Sequence, residues 1–421
     1  MNVTTLIPDG TGLVDWPTLS TERKSVVTVG GFDGMHRGHR AVVERTVARA
    51  KATRSYSVVI MFDPRPGLVH GYAADHDGEE LPGDIPDAEA LTSVYQRLRI
   101  MRQLGVDQVL VVHYDLAFAA KSFRFFLGQL VGKLGMRTLV LGSDAVMGAH
   151  RSGDVNAIEA LAQATGVFEL DVVDDLGPGY VRVPQDITRQ TPTAPGEPVP
   201  PELSMSKAEF RAWSKQHQTR KIRAWSSTHV RYLLSQGCIV AANEVLGQRH
   251  AVEGVVVHGE QRGRAIGFPT ANLDQRIEGY TPVDGVYAGW LVDMGEYDEH
   301  GLDAMVNHLT QFPAQSGVSV GVASGRSPDD DIRMASGSPW RWPAAISIGT
   351  KPTFSRQTGL RERVIEPYAI TDDWLELYGH KVRVEFSRFL SPQITFDGVE
   401  PLKRALRRWS DETTALTRQE R

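Results

Sequence analysis

The hydrophobic pattern of this chain changes once, near residue 247, and that change limits the folds open to it. Before it, short apolar β-type runs at 26–29, 57–61, 108–112, 138–141 and 168–173 alternate with helical patterns at about 39–52, 91–104, 121–133 and 155–164. Apolar strands that arrive one per helix predict a parallel, doubly wound α/β sheet with both faces covered. After it, 252–258, 285–292, 344–348, 364–370 and 381–389 are strand-like, with no helix between the early ones, and 401–409 is helical. Strand upon strand predicts a small antiparallel β-barrel closed by a C-terminal helix. A chain of 421 residues exceeds one ordinary core, so two domains are expected, 1–246 and 247–421.

Three stretches break these patterns. The segment near 184–220 opens with Pro184, Pro192, Pro195, Pro198, Pro200 and Pro201 and reads as an exposed loop inserted in the first domain. A polar insertion spans 75–87. The stretch near 294–340, rich in Gly, Ser, Asp and Pro, reads as a long insertion between two strands. A net charge of only −5 gives no reason to expect nucleic acid or a membrane as partner. One cysteine, Cys238, excludes an internal disulfide, and with no apolar run of membrane-spanning length and no secretory pattern at the start, a cytoplasmic protein is expected.

Two constellations carry chemistry. Directly after the run at 26–29 come Gly30, Gly31, Phe32, Asp33, Gly34, Met35, His36, Arg37, Gly38 and His39. A strand passing through glycines into a helix start presents bare backbone N–H groups to phosphate. An isolated histidine is more often an ordinary helix residue. Here His36 and His39 lie three apart, share a helix face, and are suited to stabilising charge on a leaving pyrophosphate. Further on, Ser226 or Ser227 can cap the helix patterned at 228–235, while Thr228 adds a hydroxyl and Arg231 a cation one turn in. In the second domain, Gly263, Arg264, Gly267, Phe268, Pro269, Thr270, Ala271 and Asn272 place a hydroxyl and an amide beside a glycine-rich turn. That donor pair suits a hard cation that keeps its phosphate ligands.

The first set, Gly31-Phe32-Asp33-Gly34-x-His36-x-Gly38-His39 with Ser226-Ser227-Thr228-x-x-Arg231, resembles the FMN adenylyltransferase module of bacterial bifunctional FAD synthetases. Phe62-Asp63-Pro64-Arg65-Pro66 and Leu104-Gly105-Val106-Asp107 extend the likeness. The resemblance implies that His36 and His39 meet ATP phosphates at the transition state. Gly31, Phe32, Asp33, Gly34, Ser227, Thr228 and Arg231 would complete the phosphate site, and Asp144, in Gly142-Ser143-Asp144-Ala145-Val146-Met147-Gly148, would join it. Ala145 and Met147 stand where the family usually has aromatic rings, and Arg65 where it usually has histidine.

The second set resembles riboflavin kinase, through Asp284-Gly285-Val286-Tyr287-Ala288-Gly289, Ile348-Gly349-Thr350-x-Pro352-Thr353-Phe354 and Leu377-Tyr378-Gly379. It implies Thr270 and Asn272 at Mg²⁺ and ATP, Gly263 and Gly267 at phosphate, and Glu366 as general base toward the terminal ribityl hydroxyl. Ser391 replaces an arginine usual in the family. The resemblance as a whole implies an enzyme that converts riboflavin to FMN and FMN to FAD with ATP as co-substrate and Mg²⁺. A second reading keeps the kinase alone, the first domain having drifted at Arg65, Ala145 and Met147. A third is a flavin-binding protein with residual sites.

Overall fold

The computed structural model describes residues 1–83, 85–174, 177–259, 267–297, 328–350 and 363–420. The chain forms two compact units. The first is Met1–Gly177, and the second comprises Pro178–Asp298 and Ser327–Arg421.

In the first unit, β1 (Asn2–Leu6), β2 (Ser25–Val29), β3 (Tyr56–Asp63), β4 (Gln108–His113), β5 (Met136–Gly142) and β8 (Glu169–Val173) form one sheet. Their order is β1-β4-β3-β2-β5-β8, every neighbouring pair parallel. A two-residue hairpin, β6 (Val146–Met147) with β7 (Gly153–Asp154), follows β5. The strands are apolar on both faces because both faces are covered. Val58, Ile60, Leu110 and Leu139 pack against Phe126, Leu127 and Leu130 of helix Phe123–Lys133 and Ile158 of helix Val155–Thr165. The alternate residues Val59, Met61, Val109 and Val111 meet Val43 and Val47 of helix Arg37–Ala52 and Leu98 and Met101 of helix Val94–Gln103. The doubly wound sheet expected from the sequence is present. The sequence reading omits edge strand β1, five residues that precede the first clear alternation of strand and helix.

From β2 the chain winds to β3 and β4 on one side, and β5 and β8 lie on the other. The carboxyl ends of β2 and β5 therefore flank the point where strand order reverses, where such sheets open a crevice for ligands.

In the second unit, β9 (Tyr180–Val183) pairs antiparallel with β10 (Arg220–Arg223). The stretch between them, expected as an exposed loop, contains the helix Lys207–Gln216. Ser206 and Glu209 form a reciprocal capping box that starts it. The Pro-rich stretch before that helix is tied down. Glu197 accepts from Val240 N–H and Phe389 N–H, each at 2.7 Å, and Gly196 N–H donates to Leu390 O at 2.8 Å. The helices Ser227–Ser235 and Ile239–Leu246 lead into the second sheet.

That sheet contains β11 (His250–Val257), β12 (Asn272–Leu273), β13 (Gly285–Glu296), β14 (Arg341–Thr350), β15 (Arg363–Ala369) and β16 (His380–Ser391). Its order is β12-β11-β16-β13-β14-β15, antiparallel throughout. The two ends of that order meet, since Ala271 N–H donates to Pro367 O at 3.0 Å, so the barrel is nearly closed. The helix Val399–Gln419 lays Leu406 and Trp409 on Val286, Ala288 and Leu390. Ser391 is fully buried at the end of β16, its hydroxyl donating to Pro392 O. Of the insertion expected near 294–340, residues 298–327 lie outside the described residues. Helix Pro328–Met334 follows them.

Candidate active sites

At the end of β2 the backbone turns through three left-handed residues, Phe32 (φ 50°), Gly34 (φ 78°) and Met35 (φ 44°). Glycine adopts that conformation freely, but Phe and Met do so at a cost of order 1 kcal/mol or more each. Their burial offsets it, with Phe32 2% and Met35 0% exposed beneath helix Arg37–Ala52. The turn ends at His36, which caps that helix. Its Nδ1 accepts the N–H of His39 at 3.3 Å, and the two rings stack with centroids 3.7 Å apart and planes 23° apart. Phe32 meets the His39 ring edge-on at 5.3 Å. With Nδ1 of His36 accepting, the neutral ring carries its proton on Nε2, where it can donate to an incoming oxygen.

The turn is braced from below. Asp33 is buried, and its Oδ1 accepts from Leu91 N–H (2.9 Å) and Thr92 N–H (3.1 Å), while the Thr92 hydroxyl accepts from Gly34 N–H at 2.9 Å. Arg97, 2% exposed, reaches under the sheet ends. Its Nη1 donates to Gly31 O (2.8 Å) and Phe62 O (3.3 Å), Nη2 to Asp63 Oδ1 (3.4 Å), and Nε to Ser93 O (3.3 Å). One cation thus joins the ends of β2 and β3 to a helix start. Arg65 donates twice to Asp87, at 2.5 and 2.6 Å, and its Nε stands 4.0 Å from Asp33 Oδ2. Burial pulls the Arg65 guanidinium down, but the Asp87 hydrogen bonds and the charges of Asp33 and Asp87 outweigh it and leave the group raised. Sequence reasoning missed Thr92, Arg97 and Asp87 in these bracing roles. The signal available was an arginine three residues after Val94 and four before Met101, on a helix face otherwise buried.

Beyond β5, Asp144 Oδ1 lies 3.4 Å from where a Cβ on Gly142 would stand, and that same Cβ would touch Val42 of helix Arg37–Ala52. Gly31–His39 and Asp144 therefore follow the two strands that flank the switch point. Ala145 and Met147, where the resemblance leads one to expect rings, pack against the first unit's core. Of the remaining first-set residues, Ser227, Thr228 and Arg231 belong to the second compact unit. There Ser226 is the cap, its hydroxyl accepting from His229 N–H at 3.3 Å, so Ser227 and Thr228 occupy the first positions of the helix. N–H groups at those positions have no partner within the helix and suit an anion.

In the barrel, Thr270 and Asn272 bracket Ala271, whose N–H binds Pro367 O, the residue after Glu366. The closing seam thus brings Thr270, Asn272 and Glu366 into one neighbourhood. Glu366 is half-buried on β15 opposite Ser347, and Phe268 meets Tyr368 edge-on at 5.2 Å. Asn272 is buried, and a Cβ at Gly259 would strike its side chain at 2.5 Å, so that glycine is required for the approach. Gly267 is exposed in a left-handed turn (φ 86°). Gly263 lies outside the described residues, as do Pro352, Thr353 and Phe354. Arg363 Nε donates to Asp284 Oδ1 at 2.7 Å while Asp284 Oδ2 accepts from the Thr350 hydroxyl at 3.2 Å, fixing the loop before β13 to the start of β15.

Comparison with known proteins decides the family. Residues 18–186 match the FAD synthetase family model and residues 246–417 the riboflavin kinase model. The chain belongs to the bifunctional riboflavin kinase/FMN adenylyltransferase family. The proteins of that name from Escherichia coli K12 and Listeria monocytogenes are 27% and 25% identical to it. The E. coli alignment covers 93% of this chain and 91% of that protein, the Listeria alignment 94% and 93%. The Bacillus subtilis protein of the same name is 28% identical over 63% of this chain and 67% of its own. A crystal structure described as a macrolide-efflux protein from Streptococcus pneumoniae shares the fold, with TM-score 0.63 and 19% identity over 97% of this chain and 98% of that one. That likeness bears on fold alone. Among the described residues of this family member no helix is long and apolar enough to cross a membrane. The chain carries both an ATP-using riboflavin kinase domain and an ATP-using FMN adenylyltransferase domain, the pair of activities that builds FAD from riboflavin.

Proposed function

We propose that the barrel seam forms FMN and the β2–β5 crevice converts it to FAD, with the following division of labour. At the seam, Glu366 accepts the proton of riboflavin's terminal ribityl hydroxyl as that oxygen attacks the γ-phosphorus of ATP, and ADP leaves. In the crevice, a phosphate oxygen of FMN attacks the α-phosphorus of a second ATP. The α–β bridge breaks, and pyrophosphate leaves under hydrogen bonds from His36 and His39. Gly31, Phe32, Asp33 and Gly34 shape that phosphate turn. The family resemblance assigns Ser227, Thr228 and Arg231 to the same reaction, so we infer an adenylylation domain of residues 1–246 and a kinase domain of residues 247–421. Compactness and function need not part the chain at the same residue.

Mg²⁺ fits the donors present at the seam, namely the Thr270 hydroxyl and the buried Asn272 amide, for which Gly259 leaves room. When bound, the ion neutralises phosphate charge. The residues themselves orient the ATP oxygens through Thr270, Asn272 and Gly267 and hold the proton at Glu366. A cytoplasmic location fits these substrates.

The observation that supports this reading best is the stacked His36–His39 pair at the start of a helix beside the sheet's switch point. The test is one time course of purified full chain with riboflavin, ATP and Mg²⁺. FMN appears first and FAD follows. FMN that accumulates without FAD would reduce the activity to kinase alone, and no FMN would overturn the seam's role.

A further inference from the structure

The connection from helix Pro66–Asp75 to helix Val94–Gln103 has neither helix nor strand among its described residues. Its last part nevertheless holds the phosphate turn, because Leu91 N–H, Thr92 N–H and the Thr92 hydroxyl are the groups that brace Asp33 and Gly34. A brace works only if it is itself fixed, and Phe32–Met35 is a strained turn that relaxes when its support loosens. Downstream the support is fixed by the Ser93 capping box that begins Val94–Gln103. Upstream it is fixed by Arg65 and Asp87. Arg65 is the cap residue of Pro66–Asp75, two residues past the end of β3, and its fork grips both carboxylate oxygens of Asp87. Both side chains are only 16% exposed. A shielded, bidentate guanidinium–carboxylate pair fixes geometry far better than a solvated one. Asp87 in turn accepts Glu89 N–H at 3.2 Å, which sets the course of the chain toward Leu91.

We propose that Arg65 and Asp87 form a latch that holds the 85–93 strap against the Phe32–Met35 turn, making Arg65 a positioning residue for adenylyl transfer that acts through Asp87. The inference rests on the crevice being the adenylylation site. It gives the polar insertion a task. It also accounts for an arginine after Asp63-Pro64, where a shorter ring could not make a two-toothed contact with Asp87.

The test uses the full chain with Arg65→Ala, Asp87→Ala, the double variant and Arg65→Lys. FAD formation from supplied FMN, FMN formation from riboflavin, and amide exchange across 85–93 are measured on each. Either single alanine variant is expected to lower the adenylylation kcat on the order of 10²-fold, the cost of a displaced catalytic turn. The KM for FMN stays near its original value, because the turn acts in the transition state. The double variant is expected to be no worse than the poorer single, since the pair works as one unit. Arg65→Lys recovers part of the rate. Exchange accelerates across 85–93 while β3 and β4 stay protected, which shows that the unit is folded, and FMN formation does not change. Adenylylation at the original rate in either single variant would overturn the latch. So would losses that multiply in the double variant, because they would give Arg65 a role apart from Asp87, through Asp33 or through the substrate. Failure of the unaltered protein to make FAD from supplied FMN would instead strike the adenylylation reading itself, and this inference with it.

Discussion

The imidazoles of His36 and His39 stack at 3.7 Å while the backbone of one donates to the ring of the other. The first ring therefore caps the helix and, in the proposed mechanism, also donates from Nε2. Asn is among the best cap residues, so His36→Asn should keep the helix start but lose the ring proposed to meet phosphate. FAD formation from supplied FMN should fall about 10²–10³-fold, the usual result of removing one donor from developing charge. FMN formation should be unchanged, and amide exchange in helix Arg37–Ala52 should stay slow. Fast exchange there would mean that the ring's main duty is structural.

Glu366 gives the mirror-image result. Replacing it by Gln removes the proton acceptor while keeping size and hydrogen bonding. FMN formation should drop roughly 10²–10⁴-fold, the range for loss of a general base. FAD formation from supplied FMN should not move. Product analysis of both reactions by chromatography checks both halves of the statement, and a kinase rate within a few-fold of the original would remove Glu366 from the role of base.

Much of this was legible in the sequence, and the remainder was hidden for identifiable reasons. Strands β2 to β5 are apolar on both faces, so they declare themselves as short continuous runs. The Gly30–His39 turn follows one of them immediately, and Thr270, Asn272 and Glu366, singled out through the family resemblance, flank the Ala271–Pro367 hydrogen bond that closes the barrel. Arg97 was not legible as a brace, because an arginine on a helix ordinarily faces water and nothing local says that its fork ends on Gly31 O and Phe62 O. Arg65 and Asp87 are 22 residues apart across a segment without periodicity, so their contact has no pattern to betray it. The helix Lys207–Gln216 was masked by the prolines before it, although the Ser206–Glu209 box was there to be seen.

Removing the Arg97 fork should therefore cost more than its helix position suggests. Arg97→Ala removes the Arg97 donor from Gly31 O, just past β2, and from Phe62 O of β3, and removes one ion pair from Asp63. About 3 kcal/mol of stability should be lost from the first unit, in line with breaking a buried charged network. Amide exchange of β3 and β4 under mild urea should accelerate by the corresponding factor, and adenylylation should fail at lower urea than FMN formation does. Equal urea sensitivity of the two activities would contradict the brace.

Glu197 gives a pH dependence of defined sign. Burial pushes its carboxyl up to about 7, against the pull of Val240 and Phe389 N–H and of Arg388. Its folded value lies above the ordinary 4.5 of an unfolded glutamate, so the folded chain favours the protonated form. That contribution is fully present below pH 4.5 and is lost as pH rises through about 7. The part of the second unit that Glu197 ties together, the Pro-rich stretch against helix Ile239–Leu246 and β16, should accordingly loosen between about pH 5 and 8. Exchange at Val240 and Phe389 should rise over that interval beyond the intrinsic effect of pH. Glu197→Gln cannot ionise, so the pH-dependent part should vanish. The same variant should loosen the tie at every pH, because an amide offers one acceptor oxygen to two N–H donors. A pH profile that Glu197→Gln leaves intact would assign the titration to another group.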